Sequence, residues 1–225
     1  MMNIDILTLF PEMFSCFLNQ SIVSIAIKNK ALNVRLIDIR DFSFNKHRKV
    51  DDYPYGGGPG MVMKPEPIFR AVKFLKKDKD KKVIYFTPQG KLLNQSIINS
   101  YQNARDLILL CGHYKEIDQR VRDELVDEEF SMGDYVLSGG ELPAMSFIDA
   151  VARLQKGVLN NIDSALTDSH QNKLLGSPQY TRPVEYKGLK VPDVLTSGNH
   201  KKIEEWRLKK MESTTKKIRP DLINE

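Results

Sequence analysis

Apolar positions along this chain fall into two alternating patterns. Short apolar runs at 4–9, 34–39, 83–86, 107–111 and roughly 129–132 have the length of buried strands. Between them, apolar residues recur at helical spacing over 11–18, 21–28, 67–75, 95–103 and 117–125, the first with Pro11 in its opening turn. Strands that alternate with helices predict an α/β fold with a mostly parallel sheet covered by helices. A further helix is predicted over 141–154, directly after Gly139-Gly140. Beyond it the periodicity lapses. The polar stretch 156–177 reads as a functional linker to a short helical C-terminal piece rather than a passive tether, and no internal repeat is visible.

Three segments rich in glycine and proline sit at the edges of these apolar runs. They are Pro88-Gln89-Gly90, Cys111-Gly112-His113-Tyr114, and the stretch from Met132-Gly133-Asp134-Tyr135 through Val136-Leu137-Ser138-Gly139-Gly140 to Glu141-Leu142-Pro143. Three such loops at one end of a sheet are how an α/β protein builds a cofactor pocket. A fourth loop, Asp51-Asp52-Tyr53-Pro54-Tyr55-Gly56-Gly57-Gly58-Pro59-Gly60-Met61, lacks the Lys-Ser/Thr of a phosphate-binding loop, and no dinucleotide fingerprint follows the first strand. It reads either as a tight surface turn or as a rigid mounting for the Asp51-Asp52 carboxylates.

Composition narrows the class. With 225 residues, 41% of them hydrophobic, the chain can bury a core of one large domain or one domain plus an appendage. Cys16 and Cys111 lie in apolar stretches, so packing is the expected role of both. No signal peptide or apolar run of membrane-spanning length is read, which sets a reducing cytoplasmic compartment, with no membrane, as the expectation. A net charge of +5 suits a polyanion without requiring one. Its distribution says more: Lys46, His47, Arg48 and Lys49 border the glycine-rich loop, and Lys201, Lys202, Arg207, Lys209, Lys210, Lys216, Lys217 and Arg219 accompany Trp206 on predicted helices. Both clusters are nucleic-acid candidates. A third, 76–82, alternates with acids and reads as a solvated loop.

Several of these segments together carry a resemblance. Leu9-Phe10-Pro11-Glu12-Met13-Phe14, the Asp51 to Met61 loop, Leu110-Cys111-Gly112-His113-Tyr114, the Gly133 to Met145 stretch, Tyr180-Thr181-Arg182-Pro183 and Ser197-Gly198-Asn199-His200 resemble, in order, the bacterial tRNA (guanine-N1)-methyltransferases. The resemblance implies a SPOUT-class α/β fold whose C-terminal part is tied into a trefoil knot around S-adenosylmethionine, followed by a small all-helical domain. It implies boundaries at 1–157 for the catalytic domain, 158–177 for the linker and 178–225 for the tRNA-binding domain. It also implies a homodimer with active sites between subunits, acting on N1 of the guanosine immediately 3′ of the anticodon, guanosine 37. Periodicity alone would give an open sheet, because threaded chains are rare.

Carried over by position, the resemblance assigns the adenosylmethionine pocket to Tyr85, Thr87, Pro88 and Gly90, to Gly112 and Tyr114, and to Ser131, Met132, Gly133, Asp134, Tyr135, Val136, Leu137, Gly139, Gly140 and Pro143. Guanine N1 is a poor nucleophile until its proton leaves, so the reaction needs a base and a cation to meet charge on O6. The resemblance gives these roles to Asp168 and Arg153; read from the residues alone, they fit equally well as a helix cap and a surface helix residue. Partial burial would make Asp168 a better base. Asp51 would contact the guanine, and Arg182, Ser197, Asn199, Lys201 and Arg207 the tRNA. No protein metal ligands are assigned, though the resemblance admits a magnesium ion beside the cofactor.

The chain departs from its relatives at three places. Tyr114-Lys115-Glu116 stands where they read Tyr-Glu-Gly, His170 replaces a phenylalanine, and Leu174-Leu175-Gly176-Ser177-Pro178-Gln179 replaces a Leu-Leu-Asp-Cys-Pro-His. Two rival classes remain: a SPOUT methyltransferase acting on another RNA nucleotide or a ribose hydroxyl, and a catalytically silent RNA-binding SPOUT protein. A ribose methylase would not need Asp168 paired with Arg153 for N1 deprotonation, and a silent module would not need three intact cofactor loops.

Overall fold

Strand β1 (Met2–Thr8) buries nearly every residue on both of its faces, the mark of a central parallel strand. In the computed structural model, which describes residues 1–77, 80–159 and 168–224, β1 lies between β2 (Leu32–Asp38) and β6 (Asp106–Leu110). Strand β5 (Lys82–Leu92) pairs with β6, and β8 (Glu128–Ser131) with β5, giving the all-parallel order β2-β1-β6-β5-β8. The five apolar runs are these five strands.

Side chains alternate between two cores. Ile4, Ile6, Ile84, Phe86, Leu107 and Leu109 pack on the face carrying α1 (Ser15–Leu18), α2 (Ser21–Lys28), α4 (Gln95–Ser100) and α6 (Glu141–Ala152). Leu7, Val83, Tyr85, Ile108 and Leu110 pack on the other, under α3 (Pro65–Lys76) and α5 (Gln119–Leu125). The period of two thus sandwiches the sheet between helical layers.

Three local expectations are corrected. The 11–18 helix begins as a 3-10 turn, Pro11–Phe14, before α1. The helix expected from 117 starts at Gln119, because Asp118 caps it by accepting a hydrogen bond from the Arg120 amide, and Ile117 belongs to strand β7 (Glu116–Ile117). Strand β5 does not end before Pro88. It carries 87–90 as a bulge, with Phe130 of β8 facing both Phe86 and Lys91. Gly90 holds this bulge against β8, since a Cβ there would lie 2.5 Å from the Glu129 backbone.

The glycine-rich loop closes a second, small sheet. Strand β3 (Asp51–Asp52) pairs antiparallel with β4 (Val62–Met63), which pairs in parallel with β7. The loop is therefore a hairpin connection, and Asp51 stands two strands from Glu116.

One buried charge cluster bears on stability. Asp5 of β1 receives hydrogen bonds from Arg35 Nε at 2.6 Å and from the Lys81 ammonium, whose side chain is only 8% exposed. Burial alone would raise the Asp5 carboxyl, but these two cations bring it below its ordinary value. The stabilisation is therefore present above the ordinary carboxylate pKa of about 3.9 and is lost as pH falls through the lower folded value. Asp5→Asn leaves Lys81 buried without a counter-charge and is expected to destabilise the protein by roughly 3–5 kcal/mol at pH 7. Urea unfolding should show a lower midpoint, and a difference from wild type that shrinks in strong acid; an unchanged midpoint at pH 7 would refute the assignment.

Contacts divide the chain into two units, Met1–Ile162 and Asp163–Glu225, with the division inside the expected linker. Residues 160–167 of that linker, Asp78 and Lys79 of the third charged cluster, and Glu225 lie outside the described residues. The 168–177 half of the linker belongs to the second unit, where the Leu175 amide donates to Thr215 Oγ1, a side chain fully buried in α8 (His200–Ile218). That unit also contains α7 (Asp193–Thr196) and α9 (Asp221–Asn224). Its expected all-helical character needs one addition, a hairpin of β9 (Glu185–Tyr186) and β10 (Leu189–Lys190). Lys187 and Gly188, at φ of 53° and 81°, supply the two left-handed residues that its tight turn requires.

Candidate active site

The three glycine-bearing segments converge where the β5 bulge meets the carboxyl ends of β6 and β8. Between them lies an open cleft of about 110 Å³. Tyr85, Thr87 and Pro88 line it from the β5 bulge, Gly112 and Tyr114 from the loop after β6, and Ser131, Met132, Tyr135, Val136, Leu137, Gly139, Gly140 and Pro143 from the loop after β8. Gly90, Gly133 and Asp134 do not line it. Gly90 is pressed on the Glu129 backbone, Gly133 turns the chain with its carbonyl toward Ser131 and Tyr135, and Asp134 is exposed.

The glycines work differently from the sequence expectation of close approach to a ligand. A Cβ on Gly140 would meet Cys111 Cα at 2.8 Å, and the Gly140 amide donates to the Gly112 carbonyl at 2.9 Å. The missing side chain makes room for the neighbouring loop, so the cleft is shaped by loop packing on loop.

Six further residues line the cleft without having been assigned to it: Phe86, His113, Lys115, Glu116, Phe130 and Ser138. Phe86 and Phe130 adjoin assigned positions at strand ends. Glu116 matters most. Its carboxylate accepts a hydrogen bond from the Tyr85 hydroxyl, lies 3.5 Å from Thr87 Oγ1, and stands 3.7 Å from Arg122 Nη1. Arg122 is committed elsewhere, gripping Glu129 through two hydrogen bonds of 2.8 and 2.7 Å and donating to Gln89. Two carboxylates sharing one guanidinium leave this corner a net charge of −1. Burial, and then the Glu116 carboxylate, push the Tyr85 phenol far up, so Tyr85 stays a hydrogen-bond donor. Lys115 is exposed and its stem lies over the hairpin loop, 3.5 Å from where a Gly60 Cβ would be. The pairing of Tyr85 with position 116 across two loops left no signal in a linear reading.

Beneath the cleft, Glu141 opens α6 and is 2% exposed, with Thr8 Oγ1 donating to it at 2.8 Å. A carboxylate at a helix N-terminus faces favourable amide dipoles. Cys111 is buried beside it; burial and the Glu141 charge push its thiol well up, leaving a packing residue. Cys16 departs from the same expectation, because it falls on the outer face of α1 and is exposed.

Tyr114 sits at the rim with φ of 62°, a conformation uncommon outside glycine. Burial and the nearby Asp51 carboxylate push its phenol up, which ties Asp51 to the cleft edge. Arg153 lies elsewhere. It follows the C-terminal end of α6, a helix of 12 residues about 18 Å long, and is not among the residues that line the cleft. Asp168, in the second unit, is exposed rather than partly buried. Ser197 and Asn199 have structural duties: Ser197 Oγ donates to the Val194 carbonyl, and Asn199 caps α8 by accepting from the Lys202 amide. Lys201 is exposed, whereas Arg182 and Arg207 share a separate pocket within the second unit. No helix of the described residues is long and apolar enough to cross a membrane, and among them no group of three or more His, Cys, Asp and Glu is placed to hold a metal ion.

A parallel sheet with helices on both faces and a loop-built cleft at the carboxyl ends of its strands defines an α/β protein of the small-ligand-binding class. Comparison with known proteins narrows this. The family described as tRNA (Guanine-1)-methyltransferase TrmD matches residues 2–225, and the chain belongs to that family. Relatives named tRNA (guanine-N(1)-)-methyltransferase include that of Ruminiclostridium cellulolyticum, 51% identical over 99% of this chain and 97% of its own. Those of Staphylococcus carnosus (51% identity, 99% and 91%) and Clostridioides difficile (50%, 98% and 97%) are similar.

Proposed function

We propose that this protein transfers a methyl group from S-adenosylmethionine to N1 of the guanosine immediately 3′ of the anticodon, guanosine 37, in tRNA. The observation that carries the reading is the cleft itself: three loops from three strands converge on an apolar slot with one net negative corner at Glu116. That chemistry fits the donor, whose adenine suits the slot and whose ammonium and sulfonium suit the carboxylate. When bound, adenosylmethionine supplies an activated methyl group on a positively charged sulfur.

The remaining work falls to the protein. Asp168 takes the N1 proton, so that the ring nitrogen presents its lone pair, and Arg153 meets the negative charge that spreads onto O6. Asp51, at the rim beside Tyr114, contacts the target guanine. The length of α6 supports a composite site in a homodimer, because Arg153 follows the far end of a helix of about 18 Å whose first turn lines the cleft. Exposed Phe10, Met13, Val136 and Leu142 beside the cleft supply apolar surface for such a partner. The contact of Gly139-Gly140 with Cys111-Gly112 supports the threaded path of a trefoil knot. Magnesium, if recruited, would meet Glu116 or the substrate rather than a protein cage.

Glu116→Ala should weaken adenosylmethionine binding by roughly 10-fold, because it removes the charge facing the donor cation. Lys115→Ala should leave that affinity nearly unchanged and instead weaken tRNA binding with a shallower salt dependence. Calorimetry with the donor and filter binding of tRNA read the two halves; equal, negligible effects would reduce the segment to surface. The function itself is tested by incubating a tRNA transcript with methyl-labelled donor and digesting it to nucleosides. Labelled 1-methylguanosine is expected, and a labelled 2′-O-methyl nucleoside or no transfer overturns the reading.

A further inference from the structure

His113, in the second loop, carries an unmet hydrogen-bonding group. Its Nδ1 is, among the described residues, the buried side-chain polar atom left without a partner. Across from it lies Glu141 Oε2 at 3.9 Å, too far for a hydrogen bond but near enough to form one after a shift of roughly 1 Å. The buried Glu141 is itself half satisfied. Its Oε1 accepts from Thr8 Oγ1 at 2.8 Å, and Thr8 Oγ1 in turn accepts from the Phe10 amide at 2.9 Å, so the hydroxyl proton is committed to the carboxylate. Oε2 is left facing His113.

The packing holds these two groups together. The His113 ring is flanked by Phe10 and Tyr114, with centroids at 4.9 and 5.3 Å. Over the pair passes Gly139, which forms an isolated antiparallel bridge with His113; a Cβ on it would stand 2.3 Å from Glu141 Oε2 and 2.5 Å from His113 Nδ1. The second loop, the third loop and the first turn of α6 therefore meet at this point. His113 and the third-loop residues Leu137, Ser138 and Gly139 also line the cleft. A buried donor and a buried acceptor that stop short of bonding cost stability, and that cost is removed if the two loops draw together.

We propose that His113 and Glu141 form a latch between the second and third loops that closes when adenosylmethionine fills the cleft, His113 Nδ1 donating to Glu141 Oε2. The inference rests on the reading of the cleft as the donor site and adds to it the pair that fixes its wall. A ligand touching both loops binds better to the state in which they are joined, so closing the latch contributes to its affinity. Because a carboxylate only accepts, the latch sets the imidazole tautomer with its proton on Nδ1. Both are positioning residues: neither gives nor takes a proton in the reaction.

Two replacements separate the hydrogen bond from the packing. His113→Phe keeps a ring between Phe10 and Tyr114 but removes the donor, whereas His113→Asn loses the ring and places an amide N–H where Nδ1 stood. Calorimetric titration of the full-length protein with adenosylmethionine should show affinity weakened by about 10-fold in His113→Phe and by clearly less in His113→Asn. Glu141→Gln should weaken it too, and the losses should not add in His113→Phe/Glu141→Gln, as for two partners of one bond. With isotope-labelled histidine, nitrogen NMR should show one imidazole fixed as the Nδ1–H tautomer on addition of adenosylmethionine, a signal missing from His113→Phe. Circular dichroism checks that each variant is folded; if Glu141→Gln is not, the two His113 variants decide alone. Wild-type affinity in His113→Phe, or a greater loss in His113→Asn than in His113→Phe, would overturn the latch while leaving the donor site intact. Additive losses in the double variant would likewise overturn it. Failure of the wild-type protein to bind adenosylmethionine would overturn the donor-site reading and the latch with it.

Discussion

Asp168→Ala is expected to lower methyl transfer by about 10²-fold or more while leaving adenosylmethionine affinity nearly unchanged. Both parts follow from the proposed division of labour. Without a base, the N1 proton stays on guanine and the lone pair needed for attack is blocked, whereas the cleft lies wholly in the first unit and Asp168 in the second. Single-turnover rates measured beside calorimetric titration with the donor separate the two. Asp168→Asn should behave like the alanine variant, since an amide matches the carboxylate in shape but takes no proton. Loss of donor binding in either variant would make the residue structural.

The second large effect concerns sharing of sites between copies. Arg153→Ala should cost roughly 10²-fold in turnover, comparable to removing one donor to a developing oxyanion. Glu116→Lys should be equally damaging for another reason, because it puts a cation where the donor's own cation must sit. Mixed and re-annealed, the two variants should recover activity. A hybrid dimer pairs the intact cleft of the Arg153→Ala chain with the intact arginine of the other, so random pairing should restore about a quarter of wild-type sites. No recovery, with active monomers in sedimentation, would contradict the composite site.

Much of this fold was legible because the signals were local. A parallel strand buried on both faces reads as a short, mostly apolar run, as β1, the first half of β5 and β6 do, with the ion-paired Asp5 the exception in β1. The glycine loops were legible as a set because each follows an apolar run. Failures came where the deciding contact was distant in sequence. Gly90 read as a break, yet the strand continues past it because β8 lies so close that only glycine fits. Asp118 could equally have been an interior helix residue until its side chain was seen capping the Arg120 amide. Glu116 read as a displaced family glutamate. Its significance comes from Tyr85, 31 residues earlier, reaching it across the cleft. Arg153 could be matched by motif, but its place at the far end of α6, whose first turn lines the cleft, became apparent only once α6 was seen to run from Glu141 to Ala152.

The most direct test of the account is position-resolved mass spectrometry of two tRNA transcripts identical except for guanosine or adenosine immediately 3′ of the anticodon, each incubated with the protein and adenosylmethionine. The account predicts one methyl group on the base at that position in the guanosine transcript and none in the other. A methyl group elsewhere in both transcripts, or equal methylation of the two, would contradict it.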